Sequence, residues 1–261
     1  MKKLLLILLM AIVVCTASAQ KTRFSVSAGW NFAIANFSKI NLSTDDWALI
    51  SPHSTSGGAG MGYDFGLSIL KPVGMDGKVY IKFSADYLYN DVSLTVRNNN
   101  NTMMMEGRSN FEKISIQNPH FINVPILLGF HYESPIAEKL AFYLECQGGV
   151  ALRWITDRGA EMVGAKKPLV IGTTNLYDYI YTDHYNNSYS FAFRVAIGIA
   201  ENDHWLGEIA LWNMGSMRID GYEDYEMRTD PNTTTRTTGI ASFSAGIIVP
   251  VTITFGIGYR F

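Results

Sequence analysis

Apolar and polar residues alternate with a period of two through most of this chain, and the final stretch shows it most clearly. Val251, Ile253, Phe255, Ile257, Tyr259 and Phe261 are apolar, while Thr252, Thr254, Gly256, Gly258 and Arg260 between them are small or polar. Successive side chains of a strand point to opposite faces, so this segment presents one apolar face and one polar face. Its length matches the ~9–11 residues with which a tilted strand crosses a bilayer. Segments 24–34, 59–69, 79–89, 122–132, 140–152, 191–199 and 206–217 repeat the pattern, the last of them least regularly. On the broadest reading the final strand starts as early as Ile240.

The connections between these segments alternate in length. Residues 71–77, 133–139 and 201–205 are short links, and the intervening connections are long and rich in Asn, Thr, Asp and Tyr. Short periplasmic turns and long external loops mark bacterial outer-membrane barrels. The pattern therefore predicts an all-β fold: an eight-stranded antiparallel up-and-down transmembrane β-barrel. A hairpin hidden within 155–188 would raise the count to ten. Pro125 and Pro250 have no backbone N–H for a ladder, so bulges or breaks are expected there, with Pro250 where the last strand leaves the membrane. Residues 98–105 (NNNNTMMM) read as a mobile solvated tip, as do residues 221–238 with their mixed charges and Thr run.

The N-terminus reads as a secretory signal peptide over residues 1–19, leaving a single barrel domain over 20–261. Lys2 and Lys3 form the charged region, an apolar run follows, and Ala17-Ser18-Ala19 is an A-x-A cleavage site. Val14 and that cleavage site argue against lipidation of Cys15. Cleavage removes Lys2 and Lys3, leaving 19 Lys and Arg against 23 Asp and Glu, a charge of about −4 that disfavours nucleic acid as a partner. Cys146 is then the only cysteine, so no internal disulfide forms. The expected location is the outer membrane, with its lipid as the first partner.

If the apolar faces meet lipid, the alternate residues point into the barrel. These include Asp64, Lys82, Asp86, Glu145, Arg153, Arg194, Glu208 and Arg260, which are equally divided between the two signs. A Lys or Arg facing hydrocarbon near the midplane costs ~2–4 kcal/mol, so the parity itself supports the assignment. An eight-stranded barrel is only wide enough for side chains to fill it. The charges are thus expected to form a packed polar core, with a narrow conducting path as the alternative.

Three of these segments resemble a known family. Residues 25–32 (SVSAGWNF) are similar to the first-strand x-V-x-A-G-x-N-F opening of the PorT-like outer-membrane β-barrel proteins of Bacteroidota. Residues 121–128 (FINVPILL) resemble their Y-L-x-I-P-L-L-L segment, and residues 256–261 (GIGYRF) their G-x-G-Y-R-F end. Trp212-Asn213-Met214-Gly215-Ser216 is only loosely like the family's Y-x-x-G-L. The resemblance runs in order along the whole mature chain. It implies a barrel and an envelope location, and it associates the PorT role with protein secretion. It also implies that Tyr259 and Phe261 act as the signal read by the barrel-assembly machinery, beside their place in an aromatic girdle.

Catalytic chemistry is weakly indicated. Asp45-Asp46 and Asp183-His184 are acidic and Asp-His pairs in two long loops, as in outer-membrane proteases, but adjacent residues of a strand face opposite ways. His53-Ser54 could serve a lipid hydrolase only with a nearby carboxylate. The five histidines show no metal-ligand spacing. Tyr177, Tyr179 and Tyr181, with Tyr185 and Tyr189, enrich the third long loop. Tyrosines supply contact area at low entropic cost, which suits binding of an extracellular glycan or protein ligand; the simpler and preferred reading has Tyr185 and Tyr189 in the outer aromatic belt and the others shielding the mouth. The expected function is non-enzymatic, an envelope structural or surface-interaction role of the PorT-like kind without a cofactor. A narrow solute channel comes second, and a protease or lipid hydrolase third.

Overall fold

The computed structural model describes residues 22–38, 58–74, 78–171 and 173–261. The signal peptide assigned to residues 1–19 and the pairs Asp45-Asp46 and His53-Ser54 lie outside the described residues. In chain order the strands are β1 (Arg23–Ile34), β2 (Ala59–Gly74), β3 (Val79–Val92), β4 (Lys113–Gln117), β5 (Phe121–Ala137), β6 (Leu140–Ile155), β7 (Arg158–Val163), β8 (Leu169–Ile171), β9 (Thr174–Leu176), β10 (Asp178–Tyr185), β11 (Ser188–Glu201), β12 (Trp205–Asn213), β13 (Met217–Arg228), β14 (Thr237–Ile248) and β15 (Val251–Arg260). Two helices, α1 (Ala35–Ser38) and α2 (Leu94–Gly107), follow β1 and β3.

Eight of these strands close a barrel in the order β1-β15-β12-β11-β6-β5-β3-β2, every neighbouring pair antiparallel. The period of two decides which way each side chain faces. Trp30, Phe65, Leu128, Phe130, Phe191, Ile197 and Phe255 stand exposed on the outer wall, and their alternates are turned inward. A continuous apolar exterior of this kind is the surface that hydrocarbon, not water, would cover. No described helix is long and apolar enough to cross a membrane.

The long connections are not simple tips. Strands β14-β13-β10-β7-β4 form a second, open sheet. Each follows or precedes one barrel strand in sequence, and their order repeats that of β15-β12-β11-β6-β5. Five of the eight barrel strands thus continue beyond the mouth after a short break, and half of the wall rises as a sheet above it. One face of this sheet is packed. Ala160, Met162 and Tyr181 join Phe111, Leu169 and Leu176 in a buried cluster, with Ile114, Ile116, Tyr225 and Met227 against it.

Several expectations are corrected accordingly. Residues 98–105 lie inside α2, whose first turn is capped by Ser93, its Oγ accepting from the Val96 N–H at 3.3 Å. Such a cap supplies an acceptor that the first turn of a helix otherwise lacks. Residues 221–228 and 237–238 belong to β13 and β14, and the solvated tip is confined to the exposed connection 229–236 with its Thr run. The 155–188 region does hold hairpins, but they build the open sheet and β8-β9, so the barrel keeps eight strands. The seventh barrel strand stops at Asn213, where Gly215 takes a φ of +66° that only glycine adopts freely. The last strand starts at Val251, immediately after Pro250, because Ile240 belongs to β14. At Pro125 no bulge forms. The β3–β5 ladder stops at Ala85↔Ile126 and resumes at Leu88↔Asn123 in the same register, a local break on the side that Pro125 cannot serve with a donor.

Candidate functional site

Inside the barrel the polar residues lie in layers. At the end with the short turns, Arg260 donates to both oxygens of Glu133 at 2.8 and 3.0 Å, and Arg23 stands 3.6 Å from the same carboxylate. His131 bridges the next layer: Nε2 is 3.3 Å from Glu133 and Nδ1 is 2.8 Å from Glu145. Glu145, at the centre, also accepts from Lys82 Nζ at 2.7 Å and from Arg194. Arg194 continues to Glu208 and to Gln147 Oε1, and its guanidinium lies 4.9 Å over the Trp212 ring. Tyr143 donates to Glu208 at 3.2 Å. A chain of charge-assisted bonds therefore crosses the lumen from Arg260 on β15 to Glu208 on β12. Pairing charges through several hydrogen bonds in this way is what makes them tolerable when buried.

Above the charges, buried apolar side chains join uncharged polar ones such as Asn31, Asn90 and Thr254. Leu88, Leu127, Ala151, Ala192, Ala196, Ala210, Trp212 and Met214 form one buried layer. Phe37 of α1 and Phe121, Met217, Ile219, Phe243 and Ile248 form another at the mouth, and Phe37 meets Phe121 edge-on at 5.2 Å. The short helix α1 thus serves to plant one side chain, since Phe37 is its only buried residue and is fully enclosed.

The structure brings together four of the eight residues assigned to a lumen charge network, namely Lys82, Glu145, Arg194 and Glu208, with Arg260 joined to them through Glu133 and His131. Arg153 is separate. Its guanidinium donates to the carbonyls of Met214, Gly215 and Ser216 at 3.1, 3.2 and 2.7 Å, so it holds the corner between β12 and β13 and pairs with no carboxylate among the described residues. Asp64 and Asp86 are buried inside the barrel, yet Asp64 Oδ1 and Asp86 Oδ2 have no hydrogen-bond partner among the described residues. Sequence reading missed His131 and Glu133. It left His131 out of the inward set and closed the strand at Tyr132, one residue short of Glu133, although Leu127, Gly129, His131 and Glu133 share the inward parity of β5.

The tyrosines are dispersed. Tyr181 is packed in the core of the open sheet, 2% exposed, and Tyr179 is half-buried with its hydroxyl on Glu223 at 3.2 Å. Neither is free to serve as the solvent-facing contact that their loop position suggested. Tyr177 lies beneath Arg228, 5.7 Å from its guanidinium. Tyr185 packs edge-on against Phe243 at the mouth instead of standing in a belt, whereas Tyr189 is exposed on the barrel wall. Tyr259 gathers His204, Trp205 and Phe261 around its ring at centroid distances of 5.5, 5.2 and 4.9 Å.

Asp183 and His184 point to opposite faces of β10, as neighbours on a strand must. His184 sits between Asp157 and Asp224 at 3.0 and 3.3 Å on the wet face and stacks on Tyr222. Asp183 is fully buried on the packed face, in register with Arg158 on β7 and Glu223 on β13. Burial pushes its carboxyl up to about 7, with Glu223 adding to the shift and Arg158 opposing it. Asp178 behaves oppositely. Hydrogen bonds from Arg228 hold its carboxylate down at about 2, helped by the Gly164 N–H and Arg236.

No family model and no curated protein matches the chain. Solved outer-membrane proteins are similar in outline. The attachment invasion locus protein Ail of Yersinia pestis aligns with 93% of this chain and 100% of its own at 11% identity and a TM-score of 0.40. A major outer membrane protein of Thermus thermophilus aligns with 93% of this chain and 100% of its own at 10% identity and a TM-score of 0.40. For OprG of Pseudomonas aeruginosa the corresponding values are 93%, 97%, 12% and 0.34.

Proposed function

We propose that this protein is an outer-membrane β-barrel with a closed lumen whose task is to hold a folded sheet outside the cell. The role is structural or interactive, not catalytic. One observation carries the reading. The lumen is crossed by ion pairs from Arg260 to Glu208 and then by the apolar clusters around Trp212 and Phe37. A barrel built to conduct would have no use for two successive clusters of buried apolar side chains across its bore. The rigid product of the fold is instead the sheet that five barrel strands carry above the mouth.

The segments at 25–32, 121–128 and 256–261 favour the PorT-like kind within this class, with protein secretion as the associated process. Tyr259 and Phe261 remain, on this reading, the residues presented to the barrel-assembly machinery. The wet face of the sheet suits a protein ligand, because Asp220, Asp224 and Glu226 stand there among Arg218, His184 and Arg236 as a surface of mixed charge.

Cysteine labelling on cells tests the arrangement. In a Cys146→Ala background, Thr174→Cys in β9 should react with a membrane-impermeant maleimide on intact cells. Asn202→Cys, in a short turn, should react only after permeabilisation. Equal labelling of both on intact cells, or the reverse order, would overturn the reading.

A further inference from the structure

The geometry points to a site for a small monovalent cation inside the barrel, held between Asp64 and Asp86. These two carboxylates are 6% and 8% exposed, and each has one oxygen without a partner among the described residues. Both line a cavity of about 20 Å³ together with Ser25, Ser27 and Glu208. A cavity that size has room for one particle the size of a water molecule, which takes ~10–15 Å³.

The surroundings are built around these oxygens. Gly66 lies between Ser27 and Asp86 in the cross-strand register, and Gly29 lies beside Asp64. A Cβ on Gly66 would collide with Asp86 Oδ1 and Ser27 Oγ, and one on Gly29 would stand 2.7 Å from Asp64 Oδ1. The glycines leave space for these oxygens, and Ser27, Asp64 and Asp86, one from each of three strands, line the same cavity.

Charge balance supplies the reason for a ligand. Lys82 and Arg194 also border the cavity, but both are engaged: Lys82 with Glu145, and Arg194 with Glu145, Glu208 and Gln147. Those two cations balance Glu145 and Glu208. Beside the cavity Asp64 and Asp86 are then left without a counter-charge, and an unpaired buried carboxylate is heavily penalised. A sodium ion in this cavity would supply one counter-charge to the two carboxylates and a partner for their orphaned oxygens.

Urea unfolding of the refolded protein in lipid vesicles tests the site, with NaCl and choline chloride compared at equal ionic strength. Saturable stabilisation by Na⁺ alone is expected, shifting the unfolding equilibrium about tenfold when Na⁺ is ten times its half-saturating concentration. The effect should vanish in Asp64→Asn/Asp86→Asn, with heat-modifiable gel mobility confirming that the variant folds. Identical curves in the two salts would overturn the proposal and leave the carboxyls holding protons instead. A Na⁺ effect that survives in the double variant would overturn the location. Should that variant not fold, equilibrium binding of radioactive sodium to the wild-type protein decides: one saturable equivalent supports the site, and none refutes it.

Discussion

Glu145 is the side chain on which the polar core turns, and its replacement by Gln is the most informative single change. The carboxylate is 3% exposed and accepts from Lys82 at 2.7 Å, from Arg194 and from His131 at 2.8 Å. Glutamine keeps the shape and removes the charge. Lys82 and Arg194 are then left buried with one counter-charge fewer, and breaking a buried pair in this way costs about 3–5 kcal/mol. Lys82→Met should cost less, about 1–3 kcal/mol, because Glu145 keeps Arg194 and His131. In the Lys82→Met background, Glu145→Gln should be cheaper than alone by about 1–2 kcal/mol, since the stranded ammonium is gone. Reversible urea unfolding in vesicles, completed as a double-mutant cycle, reads all three values. A cost below about 1 kcal/mol for Glu145→Gln, or strict additivity with Lys82→Met, would refute the coupled network drawn here.

Three further outcomes follow from the same geometry. Phe255→Arg, on the exposed outer wall of β15, should weaken folding into vesicles by about 2–4 kcal/mol, whereas folding indifferent to that charge would deny a lipid-facing wall. Asp183 has a folded pKa of about 7, above its unfolded value, so the folded sheet binds that proton more tightly. The sheet should therefore lose stability as pH rises from ~4 through ~7; protection of the β10 amides, taken relative to their intrinsic exchange rate, should fall over the same range, and Asp183→Asn should flatten that profile. Asp178, depressed to about 2 chiefly by Arg228, has the opposite sign: its contribution is complete above ~4 and is lost as pH falls toward ~2, and Arg228→Met should reduce that acid-side loss, as followed by tyrosine fluorescence, with the Gly164 N–H and Arg236 keeping the rest.

The barrel was legible because its two faces meet opposite environments. A strand with lipid on one side and a filled lumen on the other must alternate strictly, so Val79 to Tyr89 and Val251 to Phe261 could be read residue by residue. The open sheet has water on one face, and its packed face uses Tyr179, Tyr181 and Tyr225 with Met162 and Met227, so its alternation is hidden among polar letters. Strand β13, reading Met-Arg-Ile-Asp-Gly-Tyr-Glu-Asp-Tyr-Glu-Met-Arg, carries the pattern but shows charge first. Helix α2 was obscured by its Asn run, a composition with little intrinsic helix preference. Within the lumen the sign and parity of charges could be read, but partners could not. Whether Arg194 reaches Glu145 or Asp86 depends on cross-barrel distances that only closure sets. Arg153 looks like its neighbours in sequence, and it differs only because Gly215 opens a corner whose carbonyls need a donor.

Single-channel recording of the refolded protein in a planar bilayer tests the central claim of a closed lumen most directly. The wild type should insert and remain silent. Arg194→Ala should stay silent as well, because the layers around Trp212 and Phe37 still seal the barrel above the charges. Steady, voltage-independent conductance from the wild type would contradict the account and make the protein a conduit.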